Sequence, residues 1–416
     1  MILDLLNVIL LFILNGLAKT ALFWVPVVLL IVGWRLWIRY VNIATIESKK
    51  WTLLEIRIPK DVFRTPVAME IFLSNAIHQT GGMGTWLKKY WDGNVHTWFS
   101  LEIISIQGSV KFFIRTENKF RRLIEAQLYA QYPTVEIIES EDYVEKTAKE
   151  MMIKPWSIWG SEFSLAKDDP YPIKTYVDYG LDKSGGGLLE EEKKIDPISP
   201  FIEFLASMKS GEQAWYQIIV RPSIKRFKDP NSMFGKIDWK DDALRLKEDL
   251  MKAHIVKDEN GNEKRNIQNM TQSEKDALTA IEKSIGKPGF DVGMRALYLA
   301  KEDSFDPDNI NGLLGAVKQY NSVNLNSFKP SNTTDFDYPW EDPTGSRVRR
   351  LKKKIFNAYW DRGYFYHPYD IKGRKPFVLN SEELATIFHF PSRSTEAPTF
   401  ERIEAKKATP PPNLPI

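Results

Sequence analysis

The spacing of hydrophobic and polar positions changes character twice along the chain. From Ala21 to Trp34 no polar side chain occurs, and Leu36, Trp37 and Ile38 carry the apolar run past Arg35. A helix over 20–38 is ~28 Å long at 1.5 Å per residue, matching the hydrocarbon thickness of a bilayer. Trp24 lies in the run, and Trp34, Trp37 and Tyr40 stand where an aromatic belt belongs. Arg35, Arg39, Lys49 and Lys50 follow the run while only Lys19 precedes it, which places everything after residue 40 in the cytoplasm. Pro26 is tolerated, because membrane helices accept proline better than soluble ones. Residues 2–18 are apolar but interrupted. Asp4, Asn7, Asn15 and Lys19 fall within about 120° of a helical wheel. This segment either lies in the interface or spans as a first helix with its polar stripe towards a partner. The spacing favours a membrane anchor over 1–45 with one span. No basic leader and no small-x-small site mark it as a cleaved signal peptide.

Beyond residue 50 the rhythm becomes an alternation of strands and helices. Leu53–Pro59 alternates as a strand does, and Thr65–Gln79 is a helix opened by Thr65-Pro66 and closed by Gly81-Gly82. Trp98–Ile106 and Ser109–Arg115 are strands joined by a hairpin at Gln107-Gly108. Asn118–Gln131 is helical, and Val135–Glu139 is a short strand. The order β-α-β-β-α-β over 50–145 predicts a ferredoxin-like unit. A looser copy occupies 160–330. Its first strand is Ile173–Tyr179 or Glu162–Lys167. Then come a helix over Asp196–Met208, strands Ala214–Arg221 and Asp291–Ala300, a helix Pro307–Gln319 and a strand Asn321–Phe328. A helical hairpin, Asp241–His254 and Thr271–Ser284, is inserted at 223–288, with Thr271 and Glu274 in capping-box register. The fold class is therefore α+β: a transmembrane helix, two ferredoxin-like units and a helical C-terminal extension. Residues 180–197 and 329–346 read as connectors, 345–392 as a basic helical region with a second helix Ser381–Phe388, and 393–416 as a proline-rich tail.

Composition narrows the chemistry. Of 416 residues 43% are apolar, with 13 Trp, 16 Tyr and 23 Phe, which argues against a disordered chain. Zero cysteine excludes disulfides, thiol catalysis and thiolate metal sites. With 57 Lys+Arg against 54 Asp+Glu, any phosphate or lipid contact must come from a local patch. No G-x-x-x-x-G-K-[ST] occurs, since Gly286-Lys287 runs into Pro288. His78, His96, His254, His367 and His389 have no ligand spacing, and no nucleophile elbow is found. No catalytic, cofactor-binding or metal-ligating residue is expected.

Two stretches could carry binding. Arg347, Arg349, Arg350, Lys352, Lys353 and Lys354 lie in eight residues, within 347–375, where ten basic residues face two acidic ones. Leu351, Ile355 and Tyr359 give the same helix an apolar stripe. The basic face could meet nucleic acid or anionic lipid, or it could be a solvated face or pair with acidic residues at 136–145. Gly81–Asn94 mixes Trp86, Tyr90 and Trp91 with Lys88 and Lys89. That mixture suits stacking on bases, a protein interface, or headgroups near the anchor.

The runs LLEIRIPKDVFRTPVAME (53–70), TWFSLEIISIQGSVKFFIRT (97–116) and LIEAQLYAQYPTVEI (123–137), with SEELATIFHFPS (381–392) and ERIEAKKATPPPNLPI (401–416), resemble one family. It is the N-terminal membrane-anchored region of proteins related to type IV secretion and conjugative DNA-transfer coupling ATPases of small-genome bacteria. The resemblance covers most of 50–416, through packing patterns. In long members such an ending leads into a P-loop ATPase domain; here Ile416 comes before any Walker motif. The resemblance implies a non-enzymatic scaffold or adaptor in the membrane, partnered by a P-loop ATPase encoded separately. Nucleic acid and a second copy of the chain are further partners it leaves open.

Overall fold

The computed structural model describes residues 2–59, 64–78, 85–182, 196–229, 232, 235–252, 255–257, 263–265, 270–336, 338–369 and 374–391. The centre of the first connector, most of the insertion's tip, Gly81–Gly84, His254, Lys372 and the proline-rich tail 393–416 lie outside these residues. The described residues form two compact units. One comprises 2–49, 85–95 and 366–368, and the other the remainder of them.

In the first unit a single helix, α1, runs over Ile2–Ser48. The boundary expected at Lys19-Thr20 is absent. Neither residue breaks a helix, and the Thr20 hydroxyl donates to the Gly16 carbonyl one turn back (2.9 Å). The helix also passes residue 38 and ends only at Ser48, burying Val41 and Ile46 on the way. Ala18–Ser48 is long and apolar enough to cross a membrane, and its apolar stretch is unburied by the rest of the protein. It is the one such helix among the described residues.

The second unit is mixed α+β, built on one antiparallel sheet of nine strands. In chain order the elements are β1 (Trp51–Arg57), α2 (Pro66–Phe72, continued as a π-turn over Leu73–Ile77), α3 (Trp86–Tyr90, belonging to the first unit), β2 (Phe99–Ile106), β3 (Ser109–Glu117), α4 (Arg121–Gln131), β4 (Glu136–Glu139), α5 (Tyr143–Ile153), β5 (Trp156–Leu165), α6 (Ser199–Ala206) and β6 (Glu212–Pro222). There follow α7 (Trp239–Lys252), α8 (Gln272–Ile285), β7 (Gly289–Lys301), α9 (Asp308–Gly315), β8 (Phe328–Ser331), α10 (Ser346–Asp361), β9 (Phe377–Asn380) and α11 (Ser381–Ile387). The strand order is β8-β5-β7-β6-β2-β3-β1-β4, with β9 paired to the end of β7. Each half therefore has its fourth strand outermost, then its first, third and second. The two second strands, β2 and β6, pair antiparallel at the centre and make one continuous sheet.

Several expectations shift. The second half opens with β5, so Ile173–Tyr179 is not a strand; it forms turns whose backbone is held by the side chains of Glu383, Asp178 and Thr386. Asn321–Phe328 is mostly turn, with Val323 fully exposed, and the closing strand comes later at β8. Asn380 caps α11, in a capping box with Glu383. Helix α5 and strand β9 were not expected.

The pleat sorts the core into two layers. One face carries Phe99, Leu101, Ile103, Phe112, Ile114, Ile218, Val292 and Met294, covered by α2, α4, α6, α9 and α11. The other carries Leu53, Ile104, Phe113, Trp215, Leu297 and Leu299 beneath α5 and α10. The hairpin α7–α8 packs a small core of Trp239, Ala243 and Ile281 on Val378 of β9. Its capping box at Thr271 and Glu274 is formed as the spacing predicts.

Candidate functional site

The first unit brings together two stretches that lie 50 residues apart. The loop before β2 folds against the end of α1. Trp34 stacks on Tyr90 with ring centroids 6.1 Å apart, and Trp37 lies 5.6 Å from Trp91. The Trp37 indole N–H donates to the Tyr90 carbonyl (3.2 Å), and the Thr45 hydroxyl to the Asp92 carbonyl (2.6 Å). Gly93 takes a left-handed φ of 65°, and a Cβ there would lie 2.4 Å from the Val41 carbonyl oxygen. Only glycine lets the backbone pass this close. Leu30, Gly33, Trp34, Trp37 and Trp91 line an apolar hollow of about 380 Å³. Leu87, Lys88 and Trp91 remain exposed, and Lys89 lies over the Tyr90 ring at 5.0 Å. Of the expected anchor residues, Trp24, Trp34, Trp37 and Tyr40 are exposed apolar surface on α1. The side chain of Trp86 lies outside the described residues.

The second unit hides a polar row that sequence reasoning missed. Register sets Glu162 opposite Arg295, Arg295 opposite Gln217, and Gln217 opposite Glu102, all on the face under α10. Directly opposed residues share a face. All four are buried. Arg362, which ends α10 in a left-handed conformation, reaches into this row. Its Nε donates to Glu102 Oε1 (2.6 Å), and its two terminal nitrogens to Asp142 (2.6 and 3.0 Å). Glu102 also accepts from Ser100 (2.6 Å), Tyr143 (2.7 Å) and Gln217 (3.0 Å). The hydroxyls of Tyr143 and Tyr359 lie 2.7 Å apart, and the Trp98 indole donates to the Arg362 carbonyl.

Burial alone would push the Glu102 carboxyl up. The charge of Arg362 and the hydrogen bonds from Arg362, Ser100 and Tyr143 outweigh it and hold that carboxyl below the usual range. Asp142 is lowered in the same way by Arg362. Arg115, which lies over the Trp51 ring, is pushed down to about 10, first by burial and then by the charge of Arg362. Arg295 is also lowered to about 10, chiefly by burial. It donates one hydrogen bond, to the Gly363 carbonyl (3.0 Å), while its Nε and other terminal nitrogen have no hydrogen-bond partner. Glu162 pairs instead with Arg374 and accepts from Asn332.

The signal for this row was present. Ser100, Glu102, Gln217, Asp291 and Arg295 break otherwise apolar strands at alternate positions. That pattern reads as a solvent face, but here the segment 346–365 covers it. Gly293 makes room: a Cβ there would lie 2.4 Å from the Tyr364 ring.

Helix α10 presents the basic stretch as expected, over Ser346–Asp361. Ile355, Phe356, Ala358 and Tyr359 face the sheet; Leu351 is half-buried. Arg347 lies over the Phe336 ring (4.6 Å) and donates to the Glu341 carbonyl. Arg349 donates to carbonyls of its own N-terminal turn. Arg350, Lys352, Lys353 and Lys354 make no ion pair among the described residues. The acidic segment at 136–145 does not neutralise them: Glu136 pairs with Arg57, Glu139 with Arg121, and Asp142 with Arg362. Two other basic residues of 347–375 leave the patch, because Arg362 and Arg374 are buried in ion pairs.

A cleft of about 440 Å³ beside α8 is lined by Lys174, Lys283 and Lys287 together with Asp178, Asp276 and Glu382. Lys287 is held between Glu70 (2.6 Å) and Glu382 (2.7 Å), so opposite charges are already matched at its edge. Glu383 below it is pushed up to about 8 by burial, against the backbone N–H groups of Asn380 and Ile173 that favour its anion. Among the described residues no group of three or more histidine, aspartate or glutamate side chains could hold a metal ion.

No curated protein matches the sequence. A family profile described as Domain of unknown function (DUF8128) matches residues 42–402, which takes in the end of α1, the whole described sheet and α10. The chain belongs to the DUF8128 family.

Proposed function

We propose that this chain is a non-enzymatic, membrane-anchored scaffold whose second unit stands in the cytoplasm. The carrying observation is the unburied apolar stretch of α1, followed in sequence by a sheet with helices on both faces. Arg35 and Arg39 at the end of that stretch favour the cytoplasmic side for the second unit. We infer that each half of the sheet is a ferredoxin-like unit. The support is the antiparallel order fourth-first-third-second in both halves and the helices that follow the first and third strands. The resemblance to coupling-ATPase-related proteins supports reading the scaffold as a subunit of a type IV secretion or conjugation-like machine, working with a P-loop ATPase in trans. Glu102, Asp142 and Arg362 satisfy one another, which suits a rigid platform better than chemistry. The test is affinity capture of the full chain from native membranes: a co-purifying P-loop ATPase supports the reading, and its repeated absence removes the secretion role. Resistance of the chain to alkaline carbonate extraction tests the anchor separately.

A second reading is favoured by Arg350, Lys352, Lys353 and Lys354, four cations on one helix that make no ion pair among the described residues. A membrane-tethered nucleic-acid-binding protein would use them against phosphate. It predicts salt-sensitive DNA binding by the detergent-solubilised chain, weakened by Arg349→Ala with Lys353→Ala. No binding at low salt excludes it.

A further inference from the structure

The loop folded on α1 has an outer surface that the first unit leaves uncovered. Leu87 and Trp91 stand one helical turn apart on and just beyond α3, and are 62% and 64% exposed. Lys88 beside them is exposed too. Their height along α1 can be read from their partners. If the apolar run 20–38 is centred in the bilayer, Trp34 lies ~8 Å and Trp37 ~12 Å from the mid-plane, against a hydrocarbon half-thickness of ~15 Å. Trp91 shares its hollow with Leu30, Gly33, Trp34 and Trp37, so its ring sits inside that boundary. The backbone rises from there. Tyr90 is bonded at the level of Trp37, Gly93 abuts Val41, and Asp92 is bonded at Thr45, ~24 Å from the mid-plane. The aromatic side chains and the Tyr90 carbonyl thus lie at the edge of the hydrocarbon, the backbone climbs through the headgroup layer at Gly93, and Asp92 lies beyond it.

We propose that residues 85–95 form a lipid-binding cuff that inserts Leu87 and Trp91 at the headgroup–acyl boundary and sets Lys88 and Lys89 against anionic lipid phosphate. The occupant is the bilayer itself, because the surface is continuous with the exposed apolar face of α1 and carries the charge sign that anionic headgroups attract. The two hydrogen bonds from Trp37 and Thr45 and the close pass at Gly93 fix the cuff to the span. The anchor is thereby keyed in depth and in rotation, and not only threaded through the membrane. The inference rests on the reading of α1 as a bilayer span, and the experiment separates the two.

The chain has no cysteine, so single nitroxide labels can be placed without further change. Full-length Leu87→Cys, Leu30→Cys and Val323→Cys are reconstituted into vesicles of phosphatidylcholine and phosphatidylglycerol. Leu87 and Val323 are exposed, so their labels leave the packing intact. Collision of each label with oxygen and with a water-soluble nickel chelate is read by electron paramagnetic resonance. The label at 87 is expected to lie between the other two, several-fold more shielded from nickel than the label at 323 and more open than the label at 30. Adding Lys88→Glu and Lys89→Glu is expected to raise nickel access at 87 and leave 30 unchanged. If 87 is as open to nickel as 323 while 30 stays shielded, the span stands and the cuff is overturned. If 30 is open as well, the span itself fails and the cuff falls with it.

Discussion

Replacing Arg362 with Met asks what the buried polar row does for the second unit. The variant keeps an unbranched stem of similar reach and deletes the charge. It leaves Glu102, with no exposed side-chain surface, without its ion-pair partner, although Ser100, Tyr143 and Gln217 still donate to it and the charge of Arg115 still acts on it without an ion pair. Removing one partner of a buried ion pair costs ~3–5 kcal/mol. Asp142 adds little, because a carboxylate with 26% of its side chain exposed can rehydrate. Adding Glu102→Gln removes the stranded charge and should recover ~2 kcal/mol of the loss. Urea unfolding of the detergent-solubilised full chain, followed by tryptophan emission, reads this directly, since the Trp215 ring lies 5.2 Å from that of Tyr359. Acid titration adds a sign. In the native chain the Glu102 carboxyl is lower folded than unfolded. Its contribution is complete above the ordinary carboxylate range and is lost as pH falls below ~4. Without Arg362, burial pushes the same carboxyl above its unfolded value. The variant's deficit is then greatest at neutral pH and shrinks as pH falls towards ~4. A loss below ~1 kcal/mol at pH 7, or a deficit that does not change between pH 7 and 4, refutes the assignment of Arg362 as the counter-charge.

Arg295→Met should behave differently. It removes a buried guanidinium with two unpartnered nitrogens and leaves the Glu162–Arg374 pair in place, so stability should stay within ~1 kcal/mol of native or rise, in the same urea assay. Gly93→Ala forces a side chain into a left-handed residue at ~1–2 kcal/mol and onto the Val41 carbonyl. Faster tryptic cleavage after Lys88 and Lys89, with the midpoint of the second unit unchanged, is the expected result. Thr271→Ala deletes one half of a formed capping box and should cost ~1 kcal/mol, seen as faster hydrogen exchange in the first turn of α8.

How much of this was legible depended on which force set each element. The long apolar stretch of α1, the hairpin at Gln107-Gly108 and the capping box at Thr271 are local, and their residues announced them. Gln107 and Gly108 both take the positive φ that a tight hairpin requires. The alternation of strands and helices was equally plain. What failed was set by distant partners. β9 is four residues long and exists because β7 offers it an edge. Asn321–Phe328 looks like a strand by composition, yet Asn326 spends its side chain on the backbone of 167–171 and ties the segment into turns. The polar row on β5, β7, β6 and β2 could not be read as buried, because a strand's period cannot tell water from a covering helix. Arg362 was counted with an exposed basic patch for the same reason. Its burial follows from Glu102, 260 residues earlier in the chain.

The ends of the sheet bear on how copies of the chain could meet. A sheet of nine strands invites growth at its edges unless they are blunted. Here both terminal strands have four residues. On β4 the two isoleucines are bracketed by Glu136 and Glu139, which are tied back to Arg57 and Arg121. On β8, Pro330 withholds the backbone N–H that a further strand would need, and Lys329 is exposed beside it. Contacts between copies of this chain should therefore use surfaces other than strand addition. Lys329→Val with Pro330→Val restores a continuous donor row and removes the charge. In detergent, its light scattering should rise more steeply with concentration than that of the native chain. If the double variant scatters as the native chain does, those two residues do not guard the edge, and a packed neighbour would have to be what protects β8.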